Sequence, residues 1–544
     1  MTLEVAYSSP TRKSGPAPHV TLCTTLAQND EWIAQQDEAI IIDNDNRSFF
    51  PSLALRPDNV AIAFYSAPYR AAASYDFEYG WGAFEAISFH WPPDSSMFVF
   101  EPKGCVDSVG NIYLSGMVGL ENDFPCFAGV VWFALRRAFE DWEVGAPVVF
   151  DTVTIPSQLM TSSKEFDRTA LIWHKNLVGF PVPERWENFG GAVQMNNDIY
   201  VAVISDSGNW DFENAVNITK TIFPRPILVG EGAYGDTLRP YPDLDAIWVD
   251  DVLHVVFTAR GFWADPDGRG EPPVERISAA ETFIWHWDSE SDTLTLVADG
   301  WYENDFISGY NSGNVSKPSL GADSDGILYC VFRQTFPEDH WGEYCAGDIM
   351  VARSSDGIEW SSSIDLTDSH PDGDQIAPWN EINPSLAEKV DDALHISYLK
   401  GWTGGDDPEE NRREMEVVYH RVPVADLPDF GRLELPRDDF QYHNREALLV
   451  MEELASPSGF AMLNAYPNPF NNKTRVSFNL DCEQSVRLEA RDLQGRTVAI
   501  LFAGKGSSGE NRVVWDAASV PSGVYLIRLE GETHAAGLKV ALVR

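Results

Sequence analysis

Short runs of alternating apolar and polar residues follow tight turns through most of the chain. The turn and its following strand recur six times and align without a gap. The turns are Asp58-Asn59, Gly110-Asn111, Asn197-Asp198, Asp250-Asp251, Asp325-Gly326 and Asp391-Asp392. The strands read VAIAFY, IYLSGM, IYVAVI, VLHVVF, ILYCVF and ALHISY. Because Asp, Asn and Gly tolerate the positive φ of a two-residue turn, each repeat predicts a β-hairpin.

A shorter segment before each turn supplies the other strand of the hairpin. Three of these segments begin alike, with PSLAL at Pro51, PSLGA at Pro318 and PSLAE at Pro384. A third strand follows in several repeats, as in VVWFAL, TFIWHW, IMVARS and EVVYHR. Repeats of about fifty residues with four strands each fit propeller blades, since a ring of sheets leaves only short edges. We therefore expect an all-β, six-bladed propeller over residues 1–422, in which residues 18–50 either close the ring or form a seventh blade.

Composition agrees with this architecture and narrows the class of partner. Hydrophobic residues are 44% and aromatic residues 12% of 544, enough to bury a sizeable core. The 40 glycines and 34 prolines favour short strands joined by turns over long helices. The formal net charge is −44, and such a surface repels nucleic acid and anionic lipid, so we expect neither as a partner.

One later turn carries a family resemblance. Residues 354–360 read SSDGIEW, which resembles the Asp-box of sialidase-like propellers. The box residues are Ser354, Asp356, Gly357 and Trp360. The segment is one residue shorter than the usual SxDxGxxW. The resemblance implies that Asp356 caps a hairpin between the third and fourth strands of a blade and that Trp360 packs between blades. It supports the propeller fold and implies no catalytic role.

The C-terminal residues form a second pattern. Residues 423–463 are predicted as a charged linker with a short helical stretch around Arg445–Leu454. Residues 464–544 alternate in short runs between Gly and Pro turns, which predicts a small Ig-like β-sandwich. This segment also resembles the C-terminal sorting domain of type IX secretion cargo. The matching residues include Tyr466, Pro467, Asn468, Pro469, Phe470, Gly495, Trp515, Gly523 and Tyr525.

The resemblance implies export across an outer membrane, with the secretion machinery as a partner of the C-terminal domain. It places the protein in the medium or at the cell surface. The N-terminus, MTLEVAYSSPTRKSGPAP, lacks the apolar core of a signal peptide, which departs from that expectation. No apolar run approaches the length of a transmembrane helix.

The six cysteines contain no CxxC pair, so we expect no zinc or iron–sulfur site. Cys105 with Cys126, and Cys330 with Cys345, are close enough in sequence to form local disulfides in an oxidising compartment, and buried thiols are the alternative. Acidic stretches such as Asp43-Asn44-Asp45 and Asp372-Gly373-Asp374 offer calcium ligands, although none has EF-hand spacing and solvated turns explain them as well. No other cofactor is expected.

The segments after the aligned strands are long, whereas the preceding turns are short, so we place the functional site on the long-loop face. The candidate ligand-binding residues there are Arg70, Arg260, Arg333, Lys400, Asp206, Trp263, Trp341 and Trp402. Sialidase-like enzymes use an arginine cluster to bind a carboxylate, and exposed tryptophans stack on sugars. Structural salt bridges and packing between blades are the alternative roles of these residues.

The sequence selects no catalytic set. We therefore expect an exported or surface propeller that binds a glycan or a protein. A sialidase-like glycoside hydrolase or lyase is the first alternative, and a structural subunit of an extracellular assembly is the second.

Overall fold

The computed structural model shows an all-β protein. It describes residues 2–8, 20–28, 31–34, 40–41, 49–57, 61–67, 70–76, 84–89, 97–120, 127–136, 143–144, 148–149, 157–163, 168–176, 197–204, 212, 214–220, 237–264, 275–302, 313–341, 344–367, 379–401, 416–434, 461–466, 470–480, 482–491, 496–518, 520–521, 523–530 and 535–542. The chain forms two compact units, Met1–Asn444 and Arg445–Arg544, called unit 1 and unit 2 below.

The described part of unit 1 contains seven antiparallel sheets in succession, numbered sheets 1–7. Sheet 1 contains β1 (Thr2–Ser8), β2 (Val20–Gln28), β3 (Glu31–Ala34) and β4 (Ile40–Ile41). Sheet 2 contains β5 (Phe49–Leu55), β6 (Ala61–Ala67), β7 (Arg70–Asp76) and β8 (Phe84–Phe89). Sheet 3 contains β9 (Met97–Val106), β10 (Ile112–Leu120), β11 (Phe127–Arg136), β12 (Glu143–Val144) and β13 (Val148–Val149). Sheet 4 contains β14 (Gln158–Ser162), β15 (Thr169–Asn176), β16 (Asn197–Val203) and β17 (Val216–Asn217).

The remaining three sheets of unit 1 follow the same order. Sheet 5 contains β18 (Thr237–Val249), β19 (Val252–Ala264), β20 (Glu275–Asp288) and β21 (Leu294–Asp299). Sheet 6 contains β22 (Val315–Ala322), β23 (Leu328–Trp341), β24 (Tyr344–Ser354) and β25 (Ile364–Asp365). Sheet 7 contains β26 (Asn380–Leu386), β27 (Ala393–Gly401) and β28 (Glu416–Pro423), and a 3-10 helix (Val424–Asp426) follows it.

The sheets are arranged as propeller blades. The first strand of every sheet contacts the first strand of the next sheet, from β1 through to β26. The first strands are therefore innermost, and the later strands of each sheet lie progressively further out. Apolar side chains fill the spaces between neighbouring sheets. Between sheets 5 and 6, for example, Val256 and Ile284 pack with Leu320, Cys330 and Phe332. The propeller class predicted from the repeats is confirmed.

Sheets 2–7 correspond to the six predicted repeats, and sheet 1 is a further sheet that precedes them. The strand alignment is wrong in one repeat. In five repeats the aligned strand is the second of its sheet, but IYVAVI belongs to β16, the third strand of sheet 4. The second strand is β15, which reads TALIWHKN. Both strands have the same alternation of apolar residues, so periodicity alone did not distinguish them.

Several hairpin turns adopt the backbone conformation that their residues predict. Asp250 and Asp251 have φ of 47° and 68°, and Gly110 and Gly326 have φ of 93° and 81°. The turns before β10 and β23 are longer than two residues, because each is closed by an aspartate. Asp107 accepts hydrogen bonds from the backbone N–H of Val109 and Asn111, and Asp323 does the same for residues 325 and 327.

The structure decides between the two alternatives for one cysteine and corrects the linker prediction. Cys330 is a buried thiol and does not form a disulfide with Cys345. The two residues lie at different levels of the β23–β24 hairpin, where Cys330 pairs with Ala352. Cys126 lies outside the described residues. Residues 424–433, predicted as part of a linker, instead run from sheet 7 to sheet 6: the Val424 N–H donates to the Asp392 carbonyl, and the Leu433 N–H donates to the Trp360 carbonyl. The helical stretch predicted around residues 445–454 is also outside the described part.

Unit 2 consists of two antiparallel sheets. Sheet 8 contains β29 (Ala461–Tyr466), β30 (Lys473–Leu480) and β33 (Gly509–Asp516) in that order. Sheet 9 is ordered β32 (Thr497–Gly506), β31 (Gln484–Arg491), β34 (Gly523–Glu530), β35 (Ala535–Leu542). One apolar core joins the sheets, with Val476 and Phe478 from sheet 8 and Leu488 and Ile527 from sheet 9. This is a two-layer β-sandwich.

Candidate functional site

The innermost strands of unit 1 bulge at a common level. The register of the first strand shifts within its hairpin in sheets 2, 3, 5, 6 and 7. In three of these sheets a residue other than glycine adopts a left-handed backbone: Glu101 has φ 46°, Lys317 has φ 57° and Asn383 has φ 54°. Each of the three precedes a proline, which disfavours the helical regions for the residue before it. We call these three residues the bulge residues.

Such a conformation is strained, and it recurs in three sheets. A left-handed residue other than glycine costs about 1 kcal/mol or more and is held only by its surroundings. Neighbouring sheets supply this restraint at Glu101. Its N–H donates to Ser66 Oγ of sheet 2 at 3.0 Å, and its carbonyl accepts from Gln158 Nε2 of sheet 4 at 2.7 Å. Bulges re-aim side chains and are common beside binding sites, so this level is a candidate site.

Lys317 is held at the boundary between sheets 5 and 6. Its Nζ lies 2.8 Å from Asp243 Oδ1, and its backbone N–H donates to Asp243 Oδ2 at 3.2 Å. The Thr258 hydroxyl donates to the same oxygen at 3.2 Å. Asp243 is almost fully buried, whereas about a quarter of the Lys317 side chain is exposed. Asp243 therefore positions a lysine that remains partly accessible.

The Glu101 carboxyl is influenced by charges from its own sheet and from a distant one. Burial raises the pKa of Glu101, and the positive charges of Lys103 and Lys317 oppose that rise. Glu101 belongs to sheet 3 and Lys317 to sheet 6. Asn383 of sheet 7 is exposed, so the bulge level presents a carboxyl, an ammonium and an amide.

A layer of buried arginines lies beside the bulge level in sheets 5 and 6. Arg239 and Arg260 are directly opposite each other on β18 and β19, and the Arg260 guanidinium lies 4.1 Å from the centre of the Tyr241 ring. Arg333 lies opposite Ser316, the residue next to Lys317. Its Nη2 donates to Asn380 Oδ1 at 3.1 Å and to the Cys345 carbonyl at 3.4 Å.

The burial of these arginines decides how they can act. Arg333 is 0% exposed, Arg239 1% and Arg260 7%. In this structure Arg333 therefore cannot reach a ligand directly and supports the loop end of sheets 6 and 7. Arg239 and Arg260 are buried as well, so they support the end of sheet 5 in the same way.

Lys400 lies at the same end of sheet 7. Its Nζ is 3.0 Å from Glu381 Oε1 and 4.8 Å from the centre of the Trp379 ring. Glu381 is fully buried, while a quarter of the Lys400 side chain is exposed. The combination of a partly exposed ammonium and a neighbouring indole can contact a polar ligand.

The structure describes three of the five remaining candidates from the sequence. Arg70 begins β7, and Trp263 and Trp341 lie near the ends of β19 and β23; the structure describes the backbone of these three residues. Asp206 and Trp402 lie outside the described residues. Residues 333–341 and 344–347, predicted as an irregular loop, are paired strands instead.

The SSDGIEW segment lies between the third and fourth strands of sheet 6. Asp356 Oδ1 accepts hydrogen bonds from the Ile358 N–H at 2.8 Å and the Glu359 N–H at 2.9 Å. Trp360 is buried between sheets 5 and 6, and its Nε1–H donates to Thr295 Oγ1 at 3.3 Å. The turn therefore acts as a structural clamp.

The bulge residues and Asp243 are absent from the candidates taken from the sequence. The sequence did contain a signal for the bulge residues, because a proline directly follows each of them, at Pro102, Pro318 and Pro384. The sequence showed the repeated prolines but not the left-handed conformation of the residue before each one. That conformation depends on the neighbouring sheets.

In unit 2 several predicted sorting residues share one core. Phe470, Trp515 and Tyr525 are buried, with ring centres 5.3 Å apart for Phe470–Trp515 and 5.6 Å for Trp515–Tyr525. The Tyr525 hydroxyl donates to the Pro521 carbonyl at 2.6 Å. Gly523 begins β34 and Tyr466 ends β29. Pro467, Asn468, Pro469 and Gly495 lie outside the described residues.

Comparison with protein families identifies this C-terminal segment. Residues 464–542 match the family model of the secretion system C-terminal sorting domain, which confirms the sorting-domain prediction. The match indicates that the protein is secreted or displayed at the cell surface and that unit 2 interacts with secretion machinery. No curated protein matches the sequence significantly. Within the described residues, no helix is long and apolar enough to span a membrane, and no group of three or more His, Cys, Asp or Glu could hold a metal ion.

Several solved structures resemble the chain weakly. The α-L-arabinofuranosidase Arb93A from Fusarium graminearum has a TM-score of 0.37 and 11% identity, covering 69% of this chain and 93% of that one. Trypanosoma rangeli sialidase has a TM-score of 0.36 and 10% identity, covering 99% and 90%. AofleA from Arthrobotrys oligospora has a TM-score of 0.34 and 9% identity, covering 67% and 86%. Similarity at this level does not identify the substrate or partner of this chain.

Proposed function

We propose that unit 1 is an exported binding module whose glycan ligand docks at the bulge level of the innermost strands. The observation that carries this proposal is the recurrence of a strained, left-handed polar residue at Glu101, Lys317 and Asn383. Strained backbone conformations cluster at functional sites, and bulges turn side chains toward such sites. The same strained conformation in three sheets therefore supports a binding role for the three polar side chains.

The chemistry of the level suits a carbohydrate. Sugar hydroxyls both donate and accept hydrogen bonds, and the bulge residues offer a carboxyl, an ammonium and an amide. Lys400 with Trp379 adds a cation beside an aromatic face.

The test begins with a glycan array probed with the purified full chain, with and without calcium. Each hit is then measured by calorimetry with two variants. Asn383→Gly removes an exposed amide and relaxes the left-handed backbone, and Glu101→Gln removes only the charge. We expect each variant to weaken binding about tenfold, the effect of losing roughly one good hydrogen bond.

Asp250→Gly is the matched control, because Asp250 is also exposed and left-handed but lies in the β18–β19 turn at the other end of the hairpin. It should bind like the wild type. Equal binding by all four proteins would remove the ligand from the bulge level. A complete lack of array hits would overturn glycan binding itself, and hydrolysis of a bound hit would instead make the protein an enzyme.

A further inference from the structure

The sorting domain, residues 464–544, differs sharply in charge from the residues that precede it. Residues 464–544 contain ten Lys and Arg against eight Asp and Glu, whereas the preceding residues contain 29 against 75. The sorting domain is therefore a weakly basic domain in a strongly acidic protein. A basic domain is attracted to surfaces from which the remainder is repelled.

Three arginines, Arg487, Arg491 and Arg528, share the outer face of sheet 9. Residues that pair directly across antiparallel strands point to the same face. Glu489 pairs with Ile500 on β32 and with Arg528 on β34. In the next outward-facing pair of β31 and β34, Arg491 is opposite Leu526. Val486, Leu488 and Ala490 alternate with these residues along β31 and are buried in the sandwich core, so Glu489 and its partners face outward.

Glu489 fixes two of these arginines. Arg487 Nε lies 3.0 Å from Glu489 Oε2, and Arg491 Nε lies 2.6 Å from Oε1. Burial acts to raise the pKa of Glu489, but the hydrogen bonds and charges of both arginines outweigh it and hold the pKa below its ordinary value. The carboxylate is 2% exposed although it is on the outer face, because the guanidiniums cover it.

The two arginines remain accessible while they are held in place. The side chain of Arg487 is 48% exposed and that of Arg491 is 26% exposed. A guanidinium that is already fixed loses little entropy when it binds a second carboxylate. On either side of this cluster are two exposed aliphatic side chains, Ile500 at 55% and Leu526 at 42%. Arginine is enriched at protein interfaces, and the two exposed aliphatic side chains add apolar surface that a partner can cover.

We propose that this face, formed by Arg487, Glu489, Arg491, Ile500, Leu526 and Arg528, is the surface through which the sorting domain docks on an acidic region of a secretion-system protein. The three arginines of this face select an acidic partner. The match of residues 464–542 to a secretion sorting domain supplies the reason for docking. This inference is independent of the glycan site in unit 1.

The experiment measures export of the full chain from a bacterium with a type IX secretion system, as the fraction found in the medium or on the cell surface. Arg491→Glu combined with Arg528→Glu reverses two charges of the face. We expect export to fall about tenfold, as when hot-spot arginines are lost from an interface. The matched control is Arg512→Glu, an exposed arginine on β33 of sheet 8, which should be exported normally.

A second variant separates docking from folding. Ile500→Glu with Leu526→Glu leaves the Arg487–Glu489–Arg491 cluster intact and changes only exposed positions, so it should fold and still show the export defect. Normal export of both double variants would overturn the proposal, and so would an equal defect in Arg512→Glu. Binding of the wild type, but not the variants, to vesicles with anionic lipid would also overturn it and identify the partner as membrane lipid.

Discussion

Asp245 of sheet 5 and Ser319 of sheet 6 are joined by a hydrogen bond in which the serine hydroxyl donates to Oδ2 at 3.0 Å. The same carboxylate oxygen accepts from the Leu320 N–H at 2.8 Å. Ser319 Oγ in turn accepts from the Leu386 N–H of sheet 7 at 3.1 Å. The serine of one PSL segment therefore connects the innermost strands of three consecutive sheets.

We expect Ser319→Ala to lower the free energy of unfolding of unit 1 by about 1–2 kcal/mol, because Asp245 and Leu386 each lose a partner in a buried setting. Chemical denaturation followed by tryptophan fluorescence measures the change. Ser385, the corresponding serine of the PSL segment in sheet 7, is exposed and provides the control. An equal loss in Ser385→Ala would mean that the effect does not come from the three-sheet contact.

The contact between two buried histidines indicates that unit 1 becomes less stable in acid. His254 Nδ1 lies 2.9 Å from His286 Nε2, and His286 Nδ1 lies 3.2 Å from Thr295 Oγ1. Burial lowers the pKa of His254 to about 4 and that of His286 to about 3, from an ordinary value of 6.5. The unfolded chain therefore binds protons first. The stabilisation is present above pH 6.5 and is lost as the pH falls through 4 and then 3.

We expect unit 1 to lose about 1 kcal/mol per pH unit for each of these rings as the pH falls below 6.5. The double variant His254→Gln, His286→Gln should show a shallower dependence between pH 6.5 and 4.5, because the carboxylates that titrate in this range are common to both proteins. Thermal unfolding over that pH range measures the slope. Parallel profiles for the wild type and the variant would contradict the role of the pair.

Alanine substitutions at two glycines can distinguish the cost of a left-handed backbone from the cost of a steric clash. Gly357 in the sheet 6 clamp has φ 70°, and a Cβ there would lie 2.8 Å from His286 Cε1. Gly326 has φ 81°, and a Cβ there would meet nothing within 4 Å. We expect Gly326→Ala to cost about 1 kcal/mol from the left-handed backbone alone. Gly357→Ala should cost about 2 kcal/mol or more, because the His286 ring must also move. Equal costs in denaturant unfolding would show that the ring moves freely.

The Lys400–Glu381 pair predicts a large effect of charge removal. Glu381 is fully buried, so Lys400→Met takes away a partner of a buried carboxylate and should cost about 2–3 kcal/mol. In the same sheet, Arg421 pairs with Asp392 at 2.7 Å, but Asp392 is 79% exposed. Arg421→Met should therefore cost less than about 1 kcal/mol. The ratio of the two losses, measured by denaturation, tests whether burial decides the strength of these pairs.

The sorting domain shows how far a local pattern can predict structure. Phe470, Trp515 and Tyr525 were selected from motifs, and the structure places all three in one core. The motif did not reveal the outer face of sheet 9. Arg487 and Arg491 share one face of β31 because side chains alternate along a strand, but Arg528 joins them only when β31 and β34 pair.

In the propeller the sequence by itself determined the all-β class, most of the hairpins and the turn residues. Alternation with period two and left-handed turn residues are local properties, so they can be read along the chain. Asp250 and Asp251 adopt the φ values that their turn predicts. IYVAVI was misplaced because a second strand and a third strand have the same alternation.

Only the tertiary structure decided the left-handed backbones at Glu101, Lys317 and Asn383, the burial of Arg333, and the interaction of Glu101 with Lys317. Each depends on residues from different sheets, separated by tens to hundreds of positions in the chain. A strained conformation persists only where neighbouring sheets restrain it, and a charge is buried only where its partners arrive. The physical reason is that these properties belong to contacts between strands, which no single segment specifies.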